Sequence, residues 1–277
     1  MSRRSRVRLL AIDLDDTLIG TSMRVSLANR RAIRRAIHAG IKVTLATGRT
    51  FTTTLPFAEQ LGLTHTFACF QGALLRGKNK VLASRTMPPQ HYLEIVNFGL
   101  RHNVQVCVYV LDHDTVFFQR PLDRFGKEYL DRIEQVREIS LVNLRTYPFS
   151  HPPIKIMFVA SPEKIIVLEA KAQKKWGHKL YITRTRANLL EFLHPHVSKG
   201  FALHYLAEHY NLKMSETAAI GDGYNDIPML KAAGVSFAVN NASTKVKHSA
   251  DHVVASCDQD GVADAIDWIL ANRNQKK

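Results

Sequence analysis

Residues 7–17 have the sequence VRLLAIDLDDT, a mostly apolar run that ends directly at a group of aspartates. The segment Val7–Ile12 predicts a strand buried on both faces, as in a parallel sheet. Ligands gather beyond the carboxyl ends of the strands in such sheets. Asp13 and Asp15 are two residues apart, so an extended backbone would send both carboxylates to one side. A divalent cation would relieve the repulsion between them, and the stretch therefore predicts a cation site.

Solvated acids at a strand end are an equally good interpretation of these aspartates when they are taken alone. A calcium-binding loop is not, because it needs glycine at its sixth position and glutamate at its twelfth. Counted from Asp13, those positions hold Leu18 and Arg24. The choice between a cation site and a solvated strand end therefore depends on the rest of the chain.

Apolar runs alternate with helical patterns at both ends of the chain. In the first part, a helix is predicted from Ser26 to about Ala39, and Ile41–Ala46 is the next strand. In the last part, the helical pattern Lys199–Tyr210 precedes an apolar strand at Thr217–Ile220, and Val262–Ala271 is a final helix. Strands separated by helices of this length indicate βαβ units and a parallel sheet.

The middle of the chain has a different pattern. Val104–Val110 and Thr115–Gln119 flank the polar residues 112–114 and resemble a hairpin, and a helix containing Tyr129, Ile133 and Val136 follows. Further strands and one helix are predicted beyond it, at Ile154–Ala160, Pro162–Trp176, Lys179–Thr183 and Leu189–Leu193. We therefore expect an α/β protein with a Rossmann-like parallel-sheet core, residues 1–82 and 188–277, and an inserted α+β domain at 83–187.

Polar motifs follow two further predicted strands and open one helix. Thr47-Gly48-Arg49 comes after the second strand, where a hydroxyl and backbone N–H groups can hold phosphate oxygens. The hexapeptide GDGYND at 221–226 is the most specific signal, because Asp222 lies at a strand end and could supply a third carboxylate. Asp226 opens the next helix and could be a metal ligand or a residue that supports the ligands. Lys199 stands at the start of another helix, where its charge and the positive end of the helix dipole together favour the binding of an anion.

The order and spacing of four motifs resemble the haloacid dehalogenase superfamily, specifically its Cof-type phosphatases. DLDDT at 13–17 matches the first motif, TLATGR at 44–49 the second, VSKG at 197–200 the third and GDGYND at 221–226 the fourth. The last part of the chain also resembles the family, in the stretches AVNNAS and ADHVVASCDQDGVADAI. The resemblance therefore covers the whole chain, and the inserted domain corresponds to a cap. It implies Mg²⁺-dependent hydrolysis of the phosphate monoester of a small metabolite, such as a sugar phosphate or a phosphorylated cofactor.

The resemblance also implies roles for individual residues. Asp13 would attack phosphorus to form an aspartyl-phosphate, and Asp15 would act as general acid and then as general base. The metal would be held by Asp13, the backbone carbonyl of Asp15 and Asp222, with Asp226 as a ligand or behind the ligands. The phosphoryl group would be bound by a set of donors: the Leu14 amide, Thr47, Gly48, Lys199 and Asn225.

The chain departs from the family pattern at two positions. Gln71 stands where asparagine is usual before Gly72, and Asn240 stands where glycine is common before Asn241. We expect both positions to touch the phosphate pocket that the resemblance implies. They put the substrate preference and the rate of the reaction in question.

The formal net charge of +14 raises an alternative from another class, a nucleic-acid-binding protein. A basic surface attracts small anionic substrates equally well, and nucleic-acid binding leaves the carboxylates unexplained. A phosphomutase of the same superfamily is the nearer alternative, since it transfers the phosphoryl group to a sugar hydroxyl. We therefore expect a small phosphorylated metabolite as the partner rather than nucleic acid.

Cysteine usage and hydropathy bear on the location of the protein. The three cysteines form no CxxC pair, which favours a reducing cytoplasm. No apolar run approaches the roughly 20 residues that span a bilayer, and the first apolar run ends at Asp13, too early for a signal peptide. We expect a cytoplasmic enzyme without a membrane partner, and the sequence leaves its oligomeric state open.

Overall fold

The computed structural model describes residues 6–111, 115–132, 138–149 and 152–272. Its strands, in chain order, are β1 Leu9–Ile12, β2 Lys42–Leu45, β3 Phe67–Cys69, β4 Leu74–Arg76, β5 Val81–Ser84, β6 Gln105–Val110, β7 Thr115–Gln119, β8 Glu138–Val142, β9 Pro153–Val159, β10 Tyr181–Arg186, β11 Leu189–Leu193, β12 Thr217–Gly221, β13 Val235–Val239 and β14 His252–Val254. Its α-helices are α1 Leu27–His38, α2 Phe51–Leu61, α3 Tyr92–Arg101, α4 Arg124–Arg132, α5 Pro162–Trp176, α6 Lys199–His209, α7 Ile227–Ala232, α8 Thr244–Lys247 and α9 Gly261–Asn272.

The first and last parts of the chain form one parallel sheet with the strand order β14-β13-β12-β1-β2. The central strand β1 is buried along its whole length, as its unbroken apolar character predicts. Ile12 pairs with Ile220 of β12 on one side and with Leu45 of β2 on the other. Because the three strands run in the same direction and end in register, the residues that follow them emerge at one edge of the sheet.

Local signals explain where the first crossover helix begins and ends. The Ser26 side chain accepts a hydrogen bond from the backbone N–H of Asn29 and caps α1. After α1, Gly40 adopts a left-handed backbone conformation with φ 78°, which glycine tolerates without a steric penalty. The helix buries Ala32, Ile33 and Ala36 and keeps most of its arginines at the surface.

The inserted part of the chain forms a six-stranded mixed sheet with the order β10-β11-β9-β6-β7-β8. Its pairs are antiparallel except for β7 with β8, so the segment is α+β as expected. An apolar cluster, which includes Phe98 of α3, Phe158 of β9 and Trp176 of α5, covers one face of the sheet. The parallel sheet and this second sheet together confirm the predicted α/β fold with an α+β insertion.

The described residues divide into two compact units. The core unit comprises residues 6–49, 54–83 and 198–272, and the cap unit comprises 50–53 together with the described part of 84–197. The chain returns to the core unit at Ser198, not at 188, because β11 pairs with β9 and β10 of the cap sheet.

The predicted polar turn at 112–114 and the helical positions Ile133 and Val136 lie outside the described residues. No helix in the described part combines the length and the apolar character needed to cross a bilayer.

Candidate active site

Three carboxylates of the core unit meet beyond the carboxyl ends of β1 and β12. Asp13 directly follows β1, Asp222 directly follows β12, and Asp226 lies four residues further along, before α7. One carboxylate oxygen from each of the three lies within 4.8 Å of the others. The parallel pairing of β1 with β12 produces this convergence, because it places both strand ends at the same edge.

Lys199 lies among these carboxylates and is completely buried. It is the first residue of α6, which Ser198 caps by accepting a hydrogen bond from the Phe201 backbone N–H. The Lys199 ammonium donates to Asp13 and, at 2.6 Å, to Asp226. Burial alone would lower the pKa of Lys199, but the charges of Asp13 and Asp226 outweigh it and raise the pKa. Lys199 is therefore held as a cation in the protein interior.

Asp226 joins the lysine to the loop that carries Asp222. Its Oδ1 accepts from Lys199, and its Oδ2 accepts from the backbone N–H groups of Asp222 at 3.0 Å and Gly223 at 2.8 Å. The GDGYND hexapeptide is therefore folded around the Asp226 carboxylate. Both oxygens of this side chain have partners in the protein, which suits a supporting residue as well as a ligand.

The crowding of acids leaves this cluster short of positive charge. Burial, and then the Asp226 charge, raise the pKa of Asp222 to about 7 and raise the pKa of Asp13 well above its ordinary value. Thr17 donates to Oδ1 of Asp222 at 2.6 Å and orients it. One lysine faces three carboxylates, and all the potential ligands are oxygens. This donor set fits a hard cation such as Mg²⁺.

Asp15 does not join the cluster with its side chain. Its two carboxylate oxygens accept from Arg49 Nε at 2.8 Å and from an Arg49 terminal nitrogen at 2.7 Å, a bidentate ion pair. The expectation that an extended backbone sends the Asp13 and Asp15 carboxylates to one side stays a prediction. β1 ends at Ile12, and Asp15 bridges to Ile19 in the turn that follows.

The other predicted binding residues lie in three loops of the core unit, which follow β1, β2 and β12. Thr47 is completely buried, and its hydroxyl accepts from the Arg49 backbone N–H at 3.1 Å. Asn225 is buried in the hexapeptide, and its Nδ2 donates to Oε1 of Gln71 at 3.1 Å. Leu14 is buried beside Asp13, and its backbone oxygen accepts from two turn amides, Leu18 and Ile19.

Sequence reasoning left three contacts at this site undetected. These are the Thr17 hydroxyl on Asp222, the Arg49 guanidinium on Asp15 and the Gln71 carboxamide on Asn225. Thr17 and Arg49 lie inside the motifs at 13–17 and 44–49, but a motif does not show which residue each of them contacts. The other departure from the family pattern, Asn240, is exposed, and its Oδ1 accepts from Lys247.

The chain is similar to known proteins over most of its length. The family model for haloacid dehalogenase-like hydrolases matches residues 10–266. The 5-amino-6-(5-phospho-D-ribitylamino)uracil phosphatase YcsE of Bacillus subtilis is 29% identical over 268 residues, which cover 95% of this chain and 96% of that protein. Phosphatase YwpJ of the same organism is 29% identical over 289 residues, covering 95% of this chain and all of that protein.

Solved structures show the same fold. A haloacid dehalogenase-like hydrolase from B. subtilis superposes with a TM-score of 0.83 at 26% identity, covering 94% of this chain and 99% of that one. Because the family model spans most of the chain, the resemblance inferred from the four motifs is confirmed. The chain belongs to the haloacid dehalogenase-like hydrolase family and is therefore a hydrolytic enzyme.

Proposed function

We propose that this hydrolase is a Mg²⁺-dependent phosphatase that hydrolyses phosphate monoesters of small metabolites, such as sugar phosphates or phosphorylated cofactors. The observation that carries the proposal is the buried Lys199, which donates to Asp13 and Asp226 beside the third carboxylate of Asp222. A cation and three acids at one sheet edge suit the binding of a metal together with an anionic group. The B. subtilis relatives YcsE and YwpJ are named as phosphatases, which supports the same class of reaction.

Asp13 is the nucleophile in this proposal. One of its carboxylate oxygens attacks phosphorus, the bond from phosphorus to the ester oxygen breaks, and an aspartyl-phosphate forms. A water then attacks the phosphorus, and the bond to Asp13 breaks to give inorganic phosphate and the free carboxylate. Lys199 is placed to favour the charged carboxylate of Asp13, since its ammonium donates directly to that oxygen.

Asp15 is the proton carrier of both half-reactions. It donates a proton to the leaving alcohol oxygen, and the resulting carboxylate then takes a proton from the attacking water. Both oxygens of Asp15 accept hydrogen bonds from Arg49, as a carboxylate does, and the carboxylate is the form that accepts the proton from water. For the first half-reaction, Asp15 must carry a proton and leave the guanidinium.

The metal would be held by Asp13, Asp222 and the backbone carbonyl of Asp15, with Asp226 supporting the loop or completing the ligand set. When bound, Mg²⁺ supplies positive charge that neutralises the crowded carboxylates and the phosphoryl oxygens. The chain supplies further donors to those oxygens. They come from Thr47, Gly48, Lys199 and Asn225 and from the backbone N–H of Leu14.

The test is hydrolysis of a panel of phosphorylated metabolites and of para-nitrophenyl phosphate in the presence of Mg²⁺, ranked by kcat/KM. We expect turnover that EDTA abolishes and Mg²⁺ restores. Asp13→Asn should retain the fold, by circular dichroism, and lose turnover of every substrate in the panel. An active Asp13→Asn variant, or full activity in EDTA-treated protein, would contradict the proposal.

A further inference from the structure

A buried glutamine contacts both loops to which phosphate binding has been assigned. The Gln71 side chain is completely buried, and its Oε1 accepts from Asn225 Nδ2 at 3.1 Å. A Cβ atom added to Gly48 would lie 2.3 Å from Gln71 Nε2, so the other end of the same carboxamide lies directly against Gly48. One side chain therefore connects the Thr47–Gly48 loop to Asn225, at positions far apart in the sequence.

The backbone around Gln71 is held in an unfavourable conformation. Phe70 and Gln71 are consecutive residues with φ of 48° and 58°, in the left-handed region that side chains other than glycine, asparagine and aspartate rarely occupy. The Phe70 N–H donates to the Arg49 carbonyl at 3.0 Å, and the Gln71 N–H donates to the Thr47 carbonyl at 2.9 Å. Such strain persists where the surroundings impose it, and it concentrates at functional sites.

Asparagine would suit this backbone better than glutamine, since its short side chain tolerates the left-handed region. The extra methylene of Gln71 extends its carboxamide by about 1.5 Å, which accounts for its reach to Asn225. Reach to Asn225 thus comes with a conformational cost that asparagine would avoid. Glutamine at this position therefore reaches Asn225 at the cost of an unfavourable backbone, whereas the usual asparagine would avoid that cost and lack that reach.

We propose that Gln71 is a positioning residue of the phosphate site, which fixes the carboxamide of Asn225 relative to the Thr47–Gly48 loop. The terminal torsion of an asparagine side chain is broad, so Asn225 needs a partner to present its amide in one orientation. A preset donor binds the phosphoryl oxygens without first losing rotational freedom. This role rests on the proposed phosphatase function.

Two variants test the role of Gln71. Gln71→Met keeps the length of the side chain and removes its polar atoms, and Gln71→Asn keeps the carboxamide and removes its reach. We expect each to weaken the binding of inorganic phosphate in the presence of Mg²⁺, measured by calorimetry, by about fivefold to tenfold, the effect of losing one hydrogen bond. The KM for para-nitrophenyl phosphate should rise by a similar factor with kcat changed by less than about twofold, because ester and transition state share these oxygens.

Thermal unfolding separates positioning from a general loss of structure. Gln71→Asn relieves the backbone, so its melting temperature should equal or exceed that of the wild type while its phosphate affinity falls. The matched control is Asn211→Gln, which introduces glutamine at another left-handed position, with φ 53°, on an exposed turn of the core unit. That control should lower the melting temperature and leave phosphate affinity unchanged.

The possible outcomes distinguish this role from the function on which it rests. Wild-type phosphate affinity in both Gln71 variants overturns the positioning role and leaves the phosphatase function intact. Parallel losses of melting temperature and phosphate affinity in Gln71→Asn also overturn it, since they indicate only a structural role. A wild-type protein that neither hydrolyses the ester nor binds phosphate overturns the phosphatase function and this role together.

Discussion

Single residues of the site differ in how their charges are balanced. Lys199 satisfies two carboxylates at once, whereas Asp222 has the Thr17 hydroxyl as its direct side-chain partner and lies near Asp226. Without a metal, burial and then the charge of Asp226 oppose the ionisation of Asp222, and this property links the stability of the core unit to pH. Asp15 is the opposite case, because Arg49 neutralises it directly.

The first residue-scale prediction concerns the pH dependence of stability without metal. Burial and Asp226 raise the pKa of Asp222 from 3.8 to about 7, so the folded protein binds this proton more tightly than the unfolded chain does. The stabilisation is complete below the ordinary pKa of 3.8 and is lost as pH rises through about 7. In EDTA, the free energy of unfolding should therefore fall between about pH 5 and 8, by an amount of order 1 kcal/mol or more.

Denaturant unfolding at several pH values measures this slope, and Asp222→Asn is the control. The variant lacks the titrating group, so its curve should be flatter than that of the wild type. Saturating Mg²⁺ should remove the decline in the wild type, because a bound cation favours the charged carboxylate. A slope equally steep in Asp222→Asn would show that other groups cause the decline.

The second residue-scale prediction concerns Asp15 as the general acid. A sugar phosphate releases a basic alkoxide that needs a proton, whereas an aryl phosphate releases a weakly basic phenolate. Asp15→Asn should therefore slow leaving-group release from the sugar phosphate by about 10²–10⁴-fold and affect the aryl phosphate much less. The measurement is a single turnover, because loss of water activation would slow the steady state for both substrates. Equal losses would exclude the general-acid role.

At the scale of elements, the position of Lys199 depends on how closely α6 packs on α7. A Cβ atom on Gly200, the next residue of α6, would lie 2.6 Å from the backbone oxygen of Pro228. Backbone atoms cannot move aside as the end of a flexible side chain can. The missing side chain at 200 therefore permits the close approach that places Lys199 beside Asp226.

Gly200→Ala should accordingly destabilise the protein, although alanine usually stabilises a helix by about 1 kcal/mol relative to glycine. We expect a loss of about 1–3 kcal/mol in the free energy of unfolding, the usual cost of an overpacked site. Phosphatase activity should fall as well, since α6 carries Lys199. Arg31→Ala on the exposed face of α1 is the control and should leave both quantities nearly unchanged. A stabilised Gly200→Ala would contradict this packing argument.

At the scale of the whole molecule, the proposed metal ligands all belong to the core unit. A ligand that binds only the folded state stabilises it by about 2.7 kcal/mol at a concentration of 100 Kd. The cap unit has its own apolar cluster and its own buried ion pair, with Lys155 Nζ 2.9 Å from Glu191. The two units therefore have separate sources of stability.

Hydrogen exchange monitored by mass spectrometry tests this separation. Mg²⁺ should slow amide exchange in β1 and β12 by up to about 100-fold at that concentration, and should change exchange in β6 and β9 little. Lys155→Met, which leaves Glu191 buried without its ion-pair partner, should do the reverse and speed exchange in the cap strands. Equal protection of both sheets by Mg²⁺ would show that the two units unfold as one.

Local sequence patterns predict much of this architecture. The apolar run Val7–Ile12 predicts the buried strand β1, and Ser26 and Gly40 mark the limits of the helix that follows. The parallel order of strands then brings Asp13 and Asp222 to one edge, so this pair of carboxylates was predictable from the sequence. The period and the length of an apolar run decide such features, because a strand that is buried on both faces requires an unbroken run of apolar residues.

Other features are decided by the tertiary structure. The apolar strand Leu189–Leu193 could pair in either sheet, and only the pairing with β9 and β10 assigns it to the cap unit. Asp15 meets Arg49, and Gln71 meets Asn225, across large separations in sequence. A local pattern specifies which residues are buried and at what period, but it does not specify which distant group satisfies a given polar atom. That partner is settled when the elements pack, because only then does each buried carboxylate or amide have a defined set of neighbours.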